Sequence, residues 1–240
     1  MDKMAKALVF DTGPIISLTL NNLLWTLKPL HEKFNGDFII PKGVYKELVE
    51  KPLETKKYKF EAMQILPYIA EGIVKVVDSK KIEKRAKEIL DKANRCFKAK
   101  GSWIKIVHQG EMEAIALCKL KGSKSLVIDE RTTRMLIEEP ENIRNYLEKK
   151  LHTRVEANEN NILWIKKELS MIKVIRSFEL AVVSYDLGLF KRYIAEGEKK
   201  IIKKDIKKLL LEGILWGIKL NGCSVKYDEI EKTVRAEVTD

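Results

Sequence analysis

Residues 110–136, GEMEAIALCKLKGSKSLVIDERTTRML, hold a helix, a strand and a carboxylate at the strand's end in one unbroken line. The helix opens on Glu111 and Glu113 and is otherwise apolar nearly all round, so it has to pack on several sides. SLVI (125–128) is solidly apolar and runs straight into Asp129. A strand without polar alternation is buried on both faces, as in a parallel sheet covered by helices. The same grammar stands near the start of the chain, where ALVF (7–10) ends on Asp11 and is followed by TGPIISL (12–18).

Outward from these two stretches, short β-branched runs recur between longer helical patterns: DFII (37–40), IVKVV (73–77) and IKVI (172–175). That rhythm predicts an α/β protein with a central, mainly parallel sheet. Pro14 restricts Gly13 just after Asp11, and Pro41 suits the first turn of a helix through Val44, Glu47 and Leu48; each marks a strand-to-helix junction. No repeat, low-complexity segment or Pro/Gly/Ser-rich linker divides the sequence, so one elaborated domain over 1–230 is expected, with a tail at 231–240.

The 46 Lys+Arg against 35 Asp+Glu leave a net charge of +11, which favours polyanionic partners such as nucleic acid. Glutamine is confined to Gln64 and Gln109 beside abundant Lys, Glu and Ile, a usage seen in heat-adapted proteins. Cys96, Cys118 and Cys223 are odd in number and never in a Cys-x-x-Cys pair, which speaks against a disulfide framework and a zinc site. No apolar run reaches the roughly 18 residues of a membrane span, and the run before Asp11 is too short for a signal peptide, so a cytoplasmic protein is expected. Gly-x-Gly-x-x-Gly, a phosphate-loop Gly-Lys-Ser/Thr and Gly-x-Ser-x-Gly are all missing, so dinucleotide oxidoreductase, NTPase and serine hydrolase chemistry recede.

Carboxylates carry the positive signal. In an open parallel sheet the ligand crevice lies outside the carboxyl ends of the strands, so Asp11 and Asp129 face one cleft if their strands are neighbours. Glu111 and Glu113, two apart on one helix, diverge by about 200°, which makes one a direct ligand and the other a capping or outer group. Glu47 lies on the helix after DFII, between Val44 and Leu48 at helical spacing. An oxygen-only set suits a hard cation, Mg²⁺ or Mn²⁺, and such a cation activates water against a phosphodiester. His31, His108 and His152 fall in no paired spacing and are read as surface or loop residues.

LVFDTGPIISL (8–18), IPKGVYKELVE (40–50), the 110–136 block and VIRSFELAVVSYDLG (174–188) together resemble successive motifs of the PIN-domain nucleases. The resemblance is closest to the archaeal and bacterial, VapC-like branch with a Gly-Glu-x-Glu-Ala-Ile helix. It implies a three-layer α/β/α domain that cuts RNA with Mg²⁺ or Mn²⁺ held by carboxylates. By position it assigns metal binding and catalysis to Asp11, Glu47 and Asp129, with the third acid falling at Glu111 or Glu113, and supporting places to Thr12, Glu130 and Ser177. The alternative it leaves is an RNA-binding or complex-forming PIN-like protein without nuclease activity. PIN-like proteins also pair, so a homodimer and an inhibitory or complex-forming protein partner stay open, with Trp164 marking a dimer face if it proves exposed.

Two helical insertions are expected, at about 79–109 and 138–171. The first carries Lys80, Lys81, Lys84, Arg85, Lys87, Lys92, Arg95 and Lys98 and runs into Glu111, which makes it the candidate guide for single-stranded RNA. Trp103, in the loop after that helix, is placed to stack on an unpaired base. IIKKDIKKLLLEGILWGIKLNGCSV (201–225) reads as a long amphipathic helix.

Overall fold

The computed structural model describes residues 6–194 and 205–238, and residues 201–204 of the expected long helix lie outside it. Its strands are β1 (Ala7–Phe10), β2 (Asp37–Pro41), β3 (Val74–Val77), β4 (Phe97–Ala99), β5 (Ser102–Trp103), β6 (Ser125–Val127), β7 (Glu156–Ala157) and β8 (Lys173–Ile175). The helices through the centre of the chain are α1 (Thr12–Leu20), α2 (Leu27–Phe34), α3 (Lys42–Tyr45), α4 (Lys51–Glu54), α5 (Lys59–Ala70), α6 (Lys80–Ala93) and α7 (Gln109–Lys121). They are followed by α8 (Arg131–Glu138), α9 (Ile143–Leu151), α10 (Glu159–Leu169), α11 (Ser177–Asp186), α12 (Ile206–Leu220) and α13 (Tyr227–Val238).

Five strands form one parallel sheet in the order β3-β2-β1-β6-β8. Because successive side chains on a strand point to opposite faces, Leu8 and Phe10 of β1 enter one core and Val9 enters the other. Phe38 and Ile40 join the first, Ile39 the second. Helices α1, α2, α5, α11, α12 and α13 cover the first face, and α6 to α10 cover the second. The result is the three-layer α/β/α architecture that the sequence predicts.

The two insertions pack on each other. Phe97 of β4 pairs with Ala157 of β7, and the Asn158 N–H donates to the Cys96 carbonyl at 2.7 Å. Ile143, Leu147, Ile162, Ile165 and Leu169 are buried in the same core as α6 and α7. Trp164 is partly buried there with the Arg85 guanidinium 5.6 Å from its ring centre, so it packs within the chain. The expected tail is corrected: residues 231–238 complete α13, whose Ile230 and Val234 are buried in the first core. Their i,i+4 spacing makes an apolar stripe on an otherwise charged helix, which anchors it. No helix among the described residues is long and apolar enough to cross a membrane.

Candidate active site

β1 lies between β2 and β6, and the chain leaves β1 toward one side and returns to its other side at β6. That makes the gap beyond β1 and β6 a topological switch point, where open α/β sheets bind ligands. Asp11 and Asp129 stand there. The Asp11 N–H donates to the Val127 carbonyl at 2.9 Å, which fixes the two strand ends side by side. Asp11 caps α1, its Oδ2 accepting from the Gly13 N–H at 3.4 Å. Asp129 is held from the far side: its Oδ1 accepts from the Ser177 N–H at 2.8 Å and its Oδ2 from the Ser177 hydroxyl at 2.7 Å.

Glu47 arrives on a π-helical turn, Lys46–Glu50, set between α3 and α4. Such single turns re-aim a side chain by about one residue and concentrate at functional sites. The Thr12 hydroxyl donates to Glu47 Oε2 at 2.9 Å, which ties this turn to the start of α1. Gly110 lets the carboxylate approach α7: a Cβ on that glycine would lie 2.8 Å from Glu47 Oε1. Across the same helix start, Glu111 Oε2 accepts from the His108 N–H at 2.9 Å. Glu130 caps α8, accepting from the Thr133 N–H at 2.6 Å.

Glu113 takes a different direction. Its Oε2 accepts from the Gly43 N–H at 2.7 Å and its Oε1 from the Gln109 side chain at 3.0 Å. Both oxygens are therefore engaged, and the carboxylate serves as a remote cap on α3, where an anion is favourable. Gly43 and Gln109, which the sequence does not single out, are what hold it; a Cβ at Gly43 would collide with the Glu113 carboxylate.

Residues 7–141 match the family model DUF3368, described as a PIN domain. The chain belongs to the PIN-domain family. Neither the curated proteins nor the solved structures contain a significant match to it. The match ends just before α9, so the PIN domain's two central strands and all the carboxylates above lie within it, whereas α9 and everything after it lie beyond.

In this PIN domain the carboxylates share an electric field without forming a tight cage. Among the described residues, no three His, Cys, Asp or Glu side chains are gathered closely enough to hold a metal ion as they stand. Burial nevertheless raises the Asp11 carboxyl to about 7, and the neighbouring Glu111 and Glu47 charges push the same way. Glu111 is also raised to about 7, chiefly by burial, with Glu130 and Glu47 adding to it. Asp129 is raised by burial against the lowering pull of its Ser177 hydrogen bonds. None of the described ion pairs reaches Asp11, Glu47, Glu111, Asp129 or Glu130. Asp11 and Asp129 are buried, Glu47 and Glu111 half-buried and Glu130 exposed, and oxygen donors of this kind are what a hard divalent cation takes.

The basic residues named as RNA guides are spread along α6 and beyond it. Arg85 pairs with Glu88 and with Glu168, and Glu168 also takes Lys119 near the far end of α7 from Glu111. Arg95 pairs with Asp91. Lys80, Lys81, Lys84, Lys87 and Lys92 have no ion pair among those described, and all but the half-exposed Lys92 are exposed. Asn94, at the end of α6, bonds the main chain of Ile106 and Val107 and so brings this end of the helix to the start of α7. Trp103 is exposed on the β4–β5 hairpin with Lys98 over its ring at 5.7 Å.

Proposed function

We propose that this PIN domain is a Mg²⁺- or Mn²⁺-dependent endoribonuclease acting on single-stranded RNA. The observation that carries the reading is the meeting of two buried aspartates, Asp11 and Asp129, at the switch point of the sheet, where the Asp11 N–H donates to the Val127 carbonyl at 2.9 Å. Asp11, Glu47, Glu111 and Asp129 would hold the metal. When bound, it supplies Lewis acidity toward a phosphodiester oxygen and a lowered pKa for a water. The chain's own part is to aim and to accept protons. Ser177 orients Asp129, Thr12 orients Glu47, and the His108 N–H fixes one oxygen of Glu111. A carboxylate left free of the metal would orient the attacking water or take its proton. In-line attack then leaves a 5′-phosphate and a 3′-hydroxyl.

The separation of the carboxylates favours a second reading, an RNA-binding PIN protein without cleavage. Incubation with varied single-stranded RNAs in Mg²⁺, Mn²⁺ or chelator, with mapping of the cut ends, separates the two: metal-dependent 3′-hydroxyl ends support the nuclease, and intact RNA in all metals removes it.

Gly110→Ala tests the placement of Glu47. Alanine is favoured over glycine in a helix by about 1 kcal/mol, so the fold should be retained. The added Cβ displaces the Glu47 carboxylate, and cleavage should fall by about tenfold or more with a melting temperature no lower than that of the wild type. Wild-type turnover in Gly110→Ala would remove Glu47 from the site.

A further inference from the structure

A cavity of about 330 Å³ opens beside Glu111 and Glu130. Its opposite wall is not part of the matched family region: it is α9, through Tyr146, Leu147 and Lys150, with Lys105 and His108 closing the side before α7. We propose that this cavity is a subsite for one unpaired nucleotide of the RNA, next to the bond that is cut; the proposal rests on the endoribonuclease reading and names where its substrate lies.

Charge is distributed across the cavity in the way such a ligand requires. Glu111 and Glu130 line it together with Lys105 and Lys150, and these two lysines enter none of the described ion pairs. Cations left unpaired beside carboxylates remain available to phosphate oxygens. An aromatic ring, Tyr146, lines the same cavity. The Arg131 guanidinium is 4.7 Å and the Lys150 ammonium 5.7 Å from the centre of the Tyr146 ring. Arg131, at the start of α8, also enters none of the described ion pairs, so a planar cation stands over the ring of Tyr146, which lines the cavity. Single-stranded nucleic acid is held by this pairing of stacking plane and backbone cation. The volume lies at the small end of ligand pockets, roughly 300 Å³, which suits a single nucleotide and no more.

Binding separates this proposal from the cleavage reading. A short fluorescent single-stranded RNA is titrated in chelator and in Ca²⁺, and anisotropy gives Kd over a salt series. Tyr146→Leu should weaken binding about tenfold, and Tyr146→Trp should restore it, since only the aromatic plane is lost and regained. Lys150→Gln, at an exposed position where folding is not at risk, should weaken binding and lower the salt slope by about 0.7. In the cleavage assay the same changes should raise KM and leave kcat within about twofold. Wild-type affinity and slope in both Tyr146→Leu and Lys150→Gln would overturn the subsite, as would no binding by the wild type in either condition. Weakened binding in a protein that cuts no RNA would uphold the subsite and remove the nuclease.

Discussion

Asp129→Asn should fold as the wild type does and lose cleavage by about 10³-fold, equivalent to ~4 kcal/mol of barrier. The fold survives because the partners of Asp129 can re-pair. An asparagine oxygen still accepts from the Ser177 N–H, and its amide donates to the Ser177 hydroxyl, which turns its own proton toward Ser17 Oγ at 3.3 Å. What disappears is one negative charge on a side chain that is 3 % exposed at the switch point. Asp11→Asn makes the same case from β1, since asparagine caps a helix as well as aspartate. Removing charge from a phosphate site should leave single-stranded RNA binding equal or tighter. Single-turnover cleavage in Mn²⁺ together with anisotropy measures both halves. Wild-type turnover in both variants would end the metal-nuclease proposal.

How much of this was legible in sequence differs from residue to residue. Asp11 and Asp129 were readable because each terminates an uninterrupted apolar run, and a parallel sheet turns such ends toward one cleft. The divergence of Glu111 and Glu113 was readable from helical geometry alone. Which of them turns to the Gly43 N–H was not, because that partner lies 70 residues away in the chain. Glu47 was nameable as a candidate, but its π turn leaves no mark in a 3.6-residue periodicity. The 231–238 segment had a signal, the stripe Ile230, Val234 and Val238 at i,i+4 spacing, and it was masked by the charges between. The wall made by α9 was visible only as a helical excursion. Its position against Glu111 is set by β4–β7 pairing and by apolar contacts between the two insertions, neither of which any local pattern encodes.

Metal-free protein should lose stability as pH rises from about 4.5 to 7.5, the reverse of an ion-paired acidic surface. Asp11 moves from 3.8 to about 7 and Glu111 from 4.5 to about 7, so between those limits the folded state binds more protons than the unfolded one. The slope of unfolding free energy with pH is then negative, and the stability present below the unfolded pKa is gone above the folded one. A shift of three pKa units corresponds to about 4 kcal/mol for one isolated group. Because the Glu111 charge is one of the causes that raise Asp11, the two shifts do not add in full, and a net loss of about 4 kcal/mol is expected, or roughly 8–16 °C in Tm for a chain of this size. Glu168 acts oppositely, since Arg85 and Lys119 outweigh its burial and hold it low, but its contribution is spent below about pH 4.5. Thermal melts from pH 4.5 to 8 in chelator should therefore fall monotonically, and Asp11→Asn should flatten the fall and be the more stable protein at pH 8. Saturating Mn²⁺ should reverse the trend, because a cation binds the ionised carboxylates and displaces their protons, so its stabilisation grows with pH. A pH-independent Tm in chelator would mean that Asp11 and Glu111 ionise without penalty, and the electrostatic argument for a cation between them would fall with it.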